Sequence, residues 1–193
     1  MGMIKKYVKD HQLIVNQTFA NCSTEIKHVS KSILNAFENN KKILIFGNGG
    51  SAADAQHVAA EFTNRFETER KPLPVLALTT DTSALTAIGN DYSYEQVFSK
   101  QVEAFGLPGD IAIGISTSGT SKNVIRAIEV AQQQNMKTIL FSGKINEFTE
   151  ILEKLDHLIA VPTTKTARIQ EVHILIWHII CGIVDKHYEV SEL

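Results

Sequence analysis

The sequence predicts an α/β protein: a doubly wound, five-stranded parallel sheet flanked by helices, with extra N-terminal helices and a long buried C-terminal helix. Three observations carry this. Short apolar runs near residues 43–46, 73–78, 110–115, 136–142 and 157–161 alternate with helical segments, the order expected of a parallel sheet with right-handed crossovers. Two of these runs pass straight into turns that open a helix, Gly47-Asn48-Gly49-Gly50-Ser51 after the first and Ser116-Thr117-Ser118-Gly119-Thr120-Ser121 after the third. The last segment, residues 166–188, contains ILIWHIICGIV and is apolar nearly all the way round, so it is expected to be buried on several sides.

Taken in order, residues 3–19 place Ile4, Tyr7, Val8, Leu13, Ile14 and Phe19 at mostly helical spacing with charge between them, which predicts an amphipathic helix. Cys22 is expected in a turn, and Ser23 as the cap of a second helix on which Ile26, Val29, Ile33, Leu34 and Phe37 recur. These helices exceed what a minimal nucleotide-binding fold needs, so they are expected to cover partner subunits as well as the sheet. Residues 43–46 form a strand buried on both faces, and the helix after the glycine turn begins at Ser51 with Asp54 in its first turn. The polar run TNRFETERKP is a loop. Pro72 and Pro74 then block any helix before the second strand, 73–78. Asp81 to Ser83 cap a helix through Ile88, Gly89-Asn90-Asp91 breaks it, and a further helix runs from Tyr94 to about Phe105. The third strand, 110–115, leads through the serine loop to a helix over 122–134. A fourth strand over 136–142, a short helix near 147–155 and a fifth strand over 157–161 complete the sheet.

At 193 residues the chain suits one domain with one sizeable core. We read residues 1–193 as that domain, with N-terminal helices over 1–40, a sheet core over 41–162 and the C-terminal helix over 163–193. Hydrophobic residues make up 44% and charged residues 21%, and a net charge of −2 supplies no reason to expect nucleic acid. The two cysteines, Cys22 and Cys181, resemble neither a metal knuckle nor a redox pair. Neither a signal-peptide core nor a run of about 18 uncharged apolar residues is present. A cytoplasmic protein without membrane insertion is the expectation.

The turns carry the chemistry. Bare N–H groups at a helix start, together with its dipole, make the glycine turn an anion site. The serine loop adds five hydroxyls in six residues, offering a phosphate both side-chain and backbone donors; the plainer alternative is that Thr120 and Ser121 only cap a helix. Asn90 and Asp91, on a loop near strand ends, are either a simple turn or binding groups. His57 and Glu61 are four apart and share a helical face, and Gln170 and His178, eight apart, project within roughly 80° of each other. A solvated stripe is the ordinary reading of the first pair and a hydrogen-bonded core the ordinary reading of a lone histidine such as His173.

The segments FGNGGSAADAQHVAAEF, AIGND, GISTSGTSKNVIRAIE and TARIQEVHILIWH together resemble the sugar isomerase (SIS) domain family, and within it the members that isomerise a phosphorylated heptose. The resemblance covers nearly the whole chain, with four separated blocks in the family's order. It implies a homotetramer that converts sedoheptulose 7-phosphate into D-glycero-D-manno-heptose 7-phosphate, the first step towards bacterial heptose precursors for lipopolysaccharide or capsule. Glu61 would be its base and His178 the acid–base partner. His57, Glu61, Gln170 and His178 would be ligands of one zinc per subunit. Asn48, Gly49, Gly50, Ser51, Glu61, Asn90, Asp91, Ser116, Thr117, Ser118, Ser121 and Gln170 would contact substrate. Two departures stand beside the matches: Ala167 occupies a position where some members carry Asp, and residues 144–148 lack a double glycine expected after the fourth strand.

Independently of the family, aldose–ketose interconversion needs a base over adjacent carbons and an acid near their oxygens. A glutamate and a histidine suit that work, and zinc would polarise the oxygens, although a glutamate held by zinc is a poorer base. Three rivals remain. A dinucleotide enzyme is suggested by Gly47, Gly49 and Ala52 in G-x-G-x-x-A spacing, but Asp81 lies about fourteen residues beyond the usual position and the serine loop is left unexplained. The others are a non-catalytic SIS protein that binds a phosphosugar or a replication initiator, and an isomerase of another sugar phosphate.

Overall fold

The computed structural model describes residues 2–145 and 149–191, the last two by backbone only. Its sheet has five parallel strands in the order β2-β1-β3-β4-β5, with β1 at Ile43–Gly47, β2 at Val75–Ala77, β3 at Ile111–Ser116, β4 at Lys137–Ser142 and β5 at His157–Ala160. Alternation along the strands divides the interior in two. Ile43, Ile45, Ile111, Ile113, Ile139 and Phe141 face a core built with helices α1 (Met3–Glu38), α2 (Gly50–Thr63) and α7 (Thr166–Ser191). Leu44, Phe46, Ala112 and Leu140 face the opposite core, against α4 (Ser99–Phe105), α5 (Lys122–Gln133) and α6 (Glu150–Glu153). The doubly wound class is therefore the observed one. Helix α3 (Thr82–Asp91) carries only half-buried apolar residues to that second core.

Several local expectations are corrected. The two N-terminal helices are one helix of 36 residues, about 54 Å long. No glycine or proline interrupts residues 19–23, and the Ser23 hydroxyl, expected to cap, instead donates back to the Phe19 carbonyl within the same helix. Cys22, expected in a turn, is buried with its Sγ 3.6 Å from the Ala160 carbonyl of β5. Strand β2 begins two residues late because Pro74 has no N–H and the Leu73 N–H is taken by the Phe62 carbonyl at 3.0 Å. Asp81 does cap α3, accepting from the Ala84 N–H at 2.9 Å, but the helix runs through Gly89 to Asp91, since one glycine costs only about 1 kcal/mol inside a helix. Asn90 and Asp91 thus lie in a last helical turn rather than a loop. The helix expected over 94–105 is split into a 3₁₀ turn, Tyr94–Gln96, and α4, with Val97 and Phe98 turned into the core and Phe98 stacked on Phe46 at 5.5 Å. Residues 146–148 lie outside the described ones, so the loop expected at 144–148 and the start of the helix expected from 147 are seen only in part.

Helix α7 is long and apolar enough over residues 166–189 to cross a membrane by composition, yet half of that stretch is buried within this one chain, as in a core helix. Ile169, Val172, Ile176, Trp177, Ile180 and Val184 form its covered face, with Trp177 stacked on Phe141 at 4.4 Å. Flanking that face, Ile179 and Ile183 stay uncovered in a single chain, each being 37% exposed. The expected burial on several sides is met over more than half of the helix's circumference, from Val172 round to Asp185, within this one chain.

Candidate active site

In the order β2-β1-β3-β4-β5 the chain winds outwards from β1 to β2 and then returns to β3, so the direction of winding reverses between β1 and β3, where open α/β sheets take their ligands. Both turns expected to bind an anion leave the carboxyl ends of these two strands. In the first, Gly49 adopts φ +56°, which glycine does without a Cβ clash. Helix α2 starts at Gly50, so Asp54 falls just beyond the first turn rather than in it. Gly50 has a second reason to be glycine: a Cβ there would stand 2.3 Å from Gln170 Nε2, so the amide of α7 is seated directly on the turn. Asn48 joins this turn to the second one. Its side chain exchanges two hydrogen bonds with Asn123, 2.8 and 2.9 Å, and accepts a third from the Tyr94 hydroxyl at 3.0 Å. Ser51 is buried in the first helical turn, its N–H donating to the Asn48 carbonyl at 3.0 Å.

The serine loop closes on itself. Buried Ser116 donates to the Ser121 hydroxyl at 2.9 Å, and Ser118 accepts from the Thr120 N–H at 3.2 Å and the Thr120 hydroxyl at 3.0 Å. The Thr117 carbonyl accepts from the Gly143 N–H at 3.1 Å. Ser121 holds the N-cap position of α5 but makes no side-chain cap bond, so simple capping does not account for it. The arrangement is a ring of hydroxyls at the N-terminus of a twelve-residue helix, donors that can turn towards an oxyanion.

A second group sits farther along α2. Helices α2 and α7 run side by side in the same direction, Gln170 lying at Gly50 and His178 at His57. His57 Nε2 is 3.0 Å from Glu61 Oε1, and the His57 and His178 rings meet edge to face with centres 5.3 Å apart. The Phe66 ring stacks on His178 at 5.4 Å. The side chains are accessible, His57 45% and Glu61 23% exposed. One turn before His57, burial pushes the Asp54 carboxyl up against the opposing pull of His57, and its Oδ2 has no hydrogen-bond partner among the described residues. Cys181 is pushed up to about 12 by burial and by the charges of Glu61 and Asp185, which makes it an inert thiol.

Within one chain the structure thus forms two groups. Asn48, Gly49, Gly50, Ser51, Ser116, Thr117, Ser118, Ser121 and Gln170 belong to the turns at the strand ends. His57, Glu61 and His178 form the other, His57 about 10 Å and Glu61 about 16 Å beyond Gly50 along the helix. Asn90 and Asp91 join neither: they are exposed and bond to each other at 2.9 Å. Phe66, Tyr94, Asn123, Arg70 and Asp185 were not expected. Only Asp185 had a signal, a charge within an apolar helix.

A metal can be tested against this geometry. Two imidazoles on one tetrahedral zinc, with Zn–N near 2.0–2.1 Å, would place their ring centres roughly 5 Å apart, and His57 and His178 stand at 5.3 Å. The nitrogen and oxygen donors of His57, His178 and Glu61 also suit zinc by type. No three His, Cys, Asp or Glu side chains among the described residues are arranged as a ready metal cage, and His57 Nε2 is engaged by Glu61. A metal here would have to open that hydrogen bond.

Comparison with known proteins adds independent findings. The family model of the SIS domain matches residues 6–143. The phosphoheptose isomerase of Thermodesulfovibrio yellowstonii is 50% identical over 182 residues, covering 94% of this chain and 90% of that protein. Among solved structures, a phosphoheptose isomerase from Francisella tularensis superposes with a TM-score of 0.89 at 37% identity, covering 95% of this chain and 96% of that one. The phosphoheptose isomerase from Neisseria gonorrhoeae gives 0.87 at 44% identity, covering 95% and 97%.

Proposed function

The chain belongs to the SIS domain family, and from that premise we propose that it is an aldose–ketose isomerase that converts sedoheptulose 7-phosphate into D-glycero-D-manno-heptose 7-phosphate. The observation that carries the reading is the close grouping of Glu61, His57 and His178 on two parallel helices, in a chain whose strand-end turns present hydroxyl and backbone donors that suit a phosphate. Isomerisation moves one proton from C1 to C2. Glu61 removes the C1 proton, a proton is delivered to the C2 oxygen, and an enediol results. Glu61 returns its proton to C2 while the C1 hydroxyl loses its own. His178, held between Phe66 and His57, serves the two oxygens, work a histidine can do in either direction near neutral pH.

Zinc, held by His57, Glu61, His178 and Gln170, would supply polarisation of the substrate oxygens. With Gln170 seated on Gly50, about two helical turns away, the four ligands meet only if a second copy of the chain supplies the glutamine. The separation of Glu61 from the serine loop argues in the same direction. A homotetramer in which facing copies combine one strand-end phosphate site with the other's acid–base group satisfies both, and the uncovered face of α7 provides the contact. We place the enzyme in the cytoplasm, at the start of heptose precursor synthesis.

The test is Glu61→Gln, which keeps shape while removing the base. Turnover should fall at least about a hundredfold, with substrate still bound, and deuterium uptake from heavy water at C1 and C2 should fall with it. A variant that exchanges protons at the wild-type rate removes Glu61 from the role. A wild type that neither exchanges nor turns over sugar leaves a phosphosugar-binding protein instead.

A further inference from the structure

Behind the acid–base group lies a buried ion pair that the chemistry above does not use. The Arg70 side chain is 0% exposed and that of Asp185 3%. Arg70 Nε donates to Asp185 Oδ1 at 2.6 Å. Its Nη2 donates to the Glu61 carbonyl at 2.8 Å, and its Nη1 to the carbonyls of Phe62 at 2.9 Å and Lys71 at 3.1 Å. Asp185 Oδ2 accepts the N–H groups of Glu67 at 2.8 Å and Thr68 at 3.0 Å. Burial alone would raise the Asp185 carboxyl, but the Thr68 N–H, Arg70 and the Glu67 N–H together hold it below its ordinary value.

Each end of this network touches an element that carries a site group. The guanidinium grips the last turn of α2 at the carbonyl of Glu61 itself. Asp185 lies on α7, seven residues, or two turns, beyond His178. The N–H groups it accepts belong to the loop that presents Phe66 to the His178 ring. We propose that Arg70 and Asp185 are positioning residues for proton transfer: they set the height of Glu61 on α2 against His178 on α7 and hold Phe66 on the histidine ring.

A buried pair of this kind is poor evidence for stability as such, because desolvation offsets much of the attraction. A planar fork that bonds three carbonyls while pairing a carboxylate, however, defines a geometry that no point charge can. Displacement of a reacting group by about 1 Å costs on the order of a hundredfold in rate. The proposal rests on the roles assigned to Glu61 and His178.

Arg70→Lys is the discriminating variant, since it retains the charge opposite Asp185 and loses the fork. The variant, shown folded by circular dichroism and assayed well below its own Tm, should lose about ten- to a hundredfold in kcat, with KM within about twofold and deuterium uptake falling in step. Asp185→Asn, which keeps shape, should show a smaller loss of the same kind and stands in if Arg70→Lys does not fold. In both, the His178 ring resonances, assigned by their disappearance in His178→Asn, should move away from their stacked positions. Unchanged kcat, or a loss confined to KM, overturns the proposal. If the wild type has no isomerase activity, the function fails while the positioning is still read from the resonances: unmoved His178 signals overturn it too.

Discussion

His173 is the residue where surroundings override type most plainly. A lone histidine in an apolar helix is expected to be a hydrogen-bonded core residue, and His173 is one: it is fully buried, its Nε2 is 3.1 Å from the Ser142 carbonyl and its ring is edge-on to Phe141 at 5.6 Å. Burial lowers its pKa to about 4, with the Ser142 bond pulling weakly the other way. The unfolded chain therefore binds a proton near pH 6.5 that the folded chain refuses until about pH 4. The stability this contributes is fully present above pH 6.5 and is lost as pH falls towards 4, amounting to about 2 kcal/mol between pH 7 and pH 5. Urea unfolding at both pH values should show that loss in the wild type and a much smaller one in His173→Gln; equal losses would assign the effect elsewhere. Glu61 illustrates the opposite limit. Its spacing from His57 was legible, but its grip by Arg70 was not, because those partners belong to a loop that carried no helical or strand period.

At the scale of elements, the serine loop makes the sharpest prediction. Each charge-assisted hydrogen bond from a hydroxyl to phosphate contributes about 1.5–3 kcal/mol. Ser118→Ala with Ser121→Ala removes two such donors, and the substrate's Kd should rise at least tenfold by calorimetry. Unchanged affinity would move the phosphate to another turn. This loop and the glycine turn were readable because a strand, a short polar turn and a helix start leave a local pattern. The α1 helix was not. Asn21, Cys22 and Ser23 suggest a turn by composition, yet nothing there breaks a helix, and burial of Cys22 beside β5 rewards continuing it. Helix α3 passed its glycine for a related reason: the Tyr92 N–H still finds the Ile88 carbonyl at 3.1 Å.

For the whole molecule, the unpartnered surface is the informative feature. Ile179 and Ile183 on α7, with Met3, Ile4, Tyr7, Val8 and Leu13 on the first half of α1, are all large apolar side chains exposed in the single chain. Covering them offsets part of the cost of association: fully burying an exposed side chain of this size contributes roughly 1.5–3 kcal/mol, and about a third to a half of that where, as at Ile179, Ile183 and Val8, much of it is already covered. Light scattering at micromolar concentration should give the mass of four chains. A monomer would contradict both the oligomer and the shared site built on it.

What the sequence determined by itself was whatever repeats or concentrates locally: the alternation of strands and helices, the two turns at strand ends, the His57–Glu61 and Gln170–His178 spacings, and through those blocks the family. Tertiary structure decided which of these side chains meet. It set Gln170 on Gly50 and His178 on His57, separating two residues that spacing alone would allow to share a pocket. It also paired Arg70 with Asp185, 115 residues apart. Local patterns follow from backbone geometry, which every short segment obeys on its own. Pairings across α2, α7 and the loop between α2 and β2 exist only once the sheet has fixed where those segments lie, so the order of residues can flag one member, as the charge of Asp185 in an apolar helix does, but not its partner.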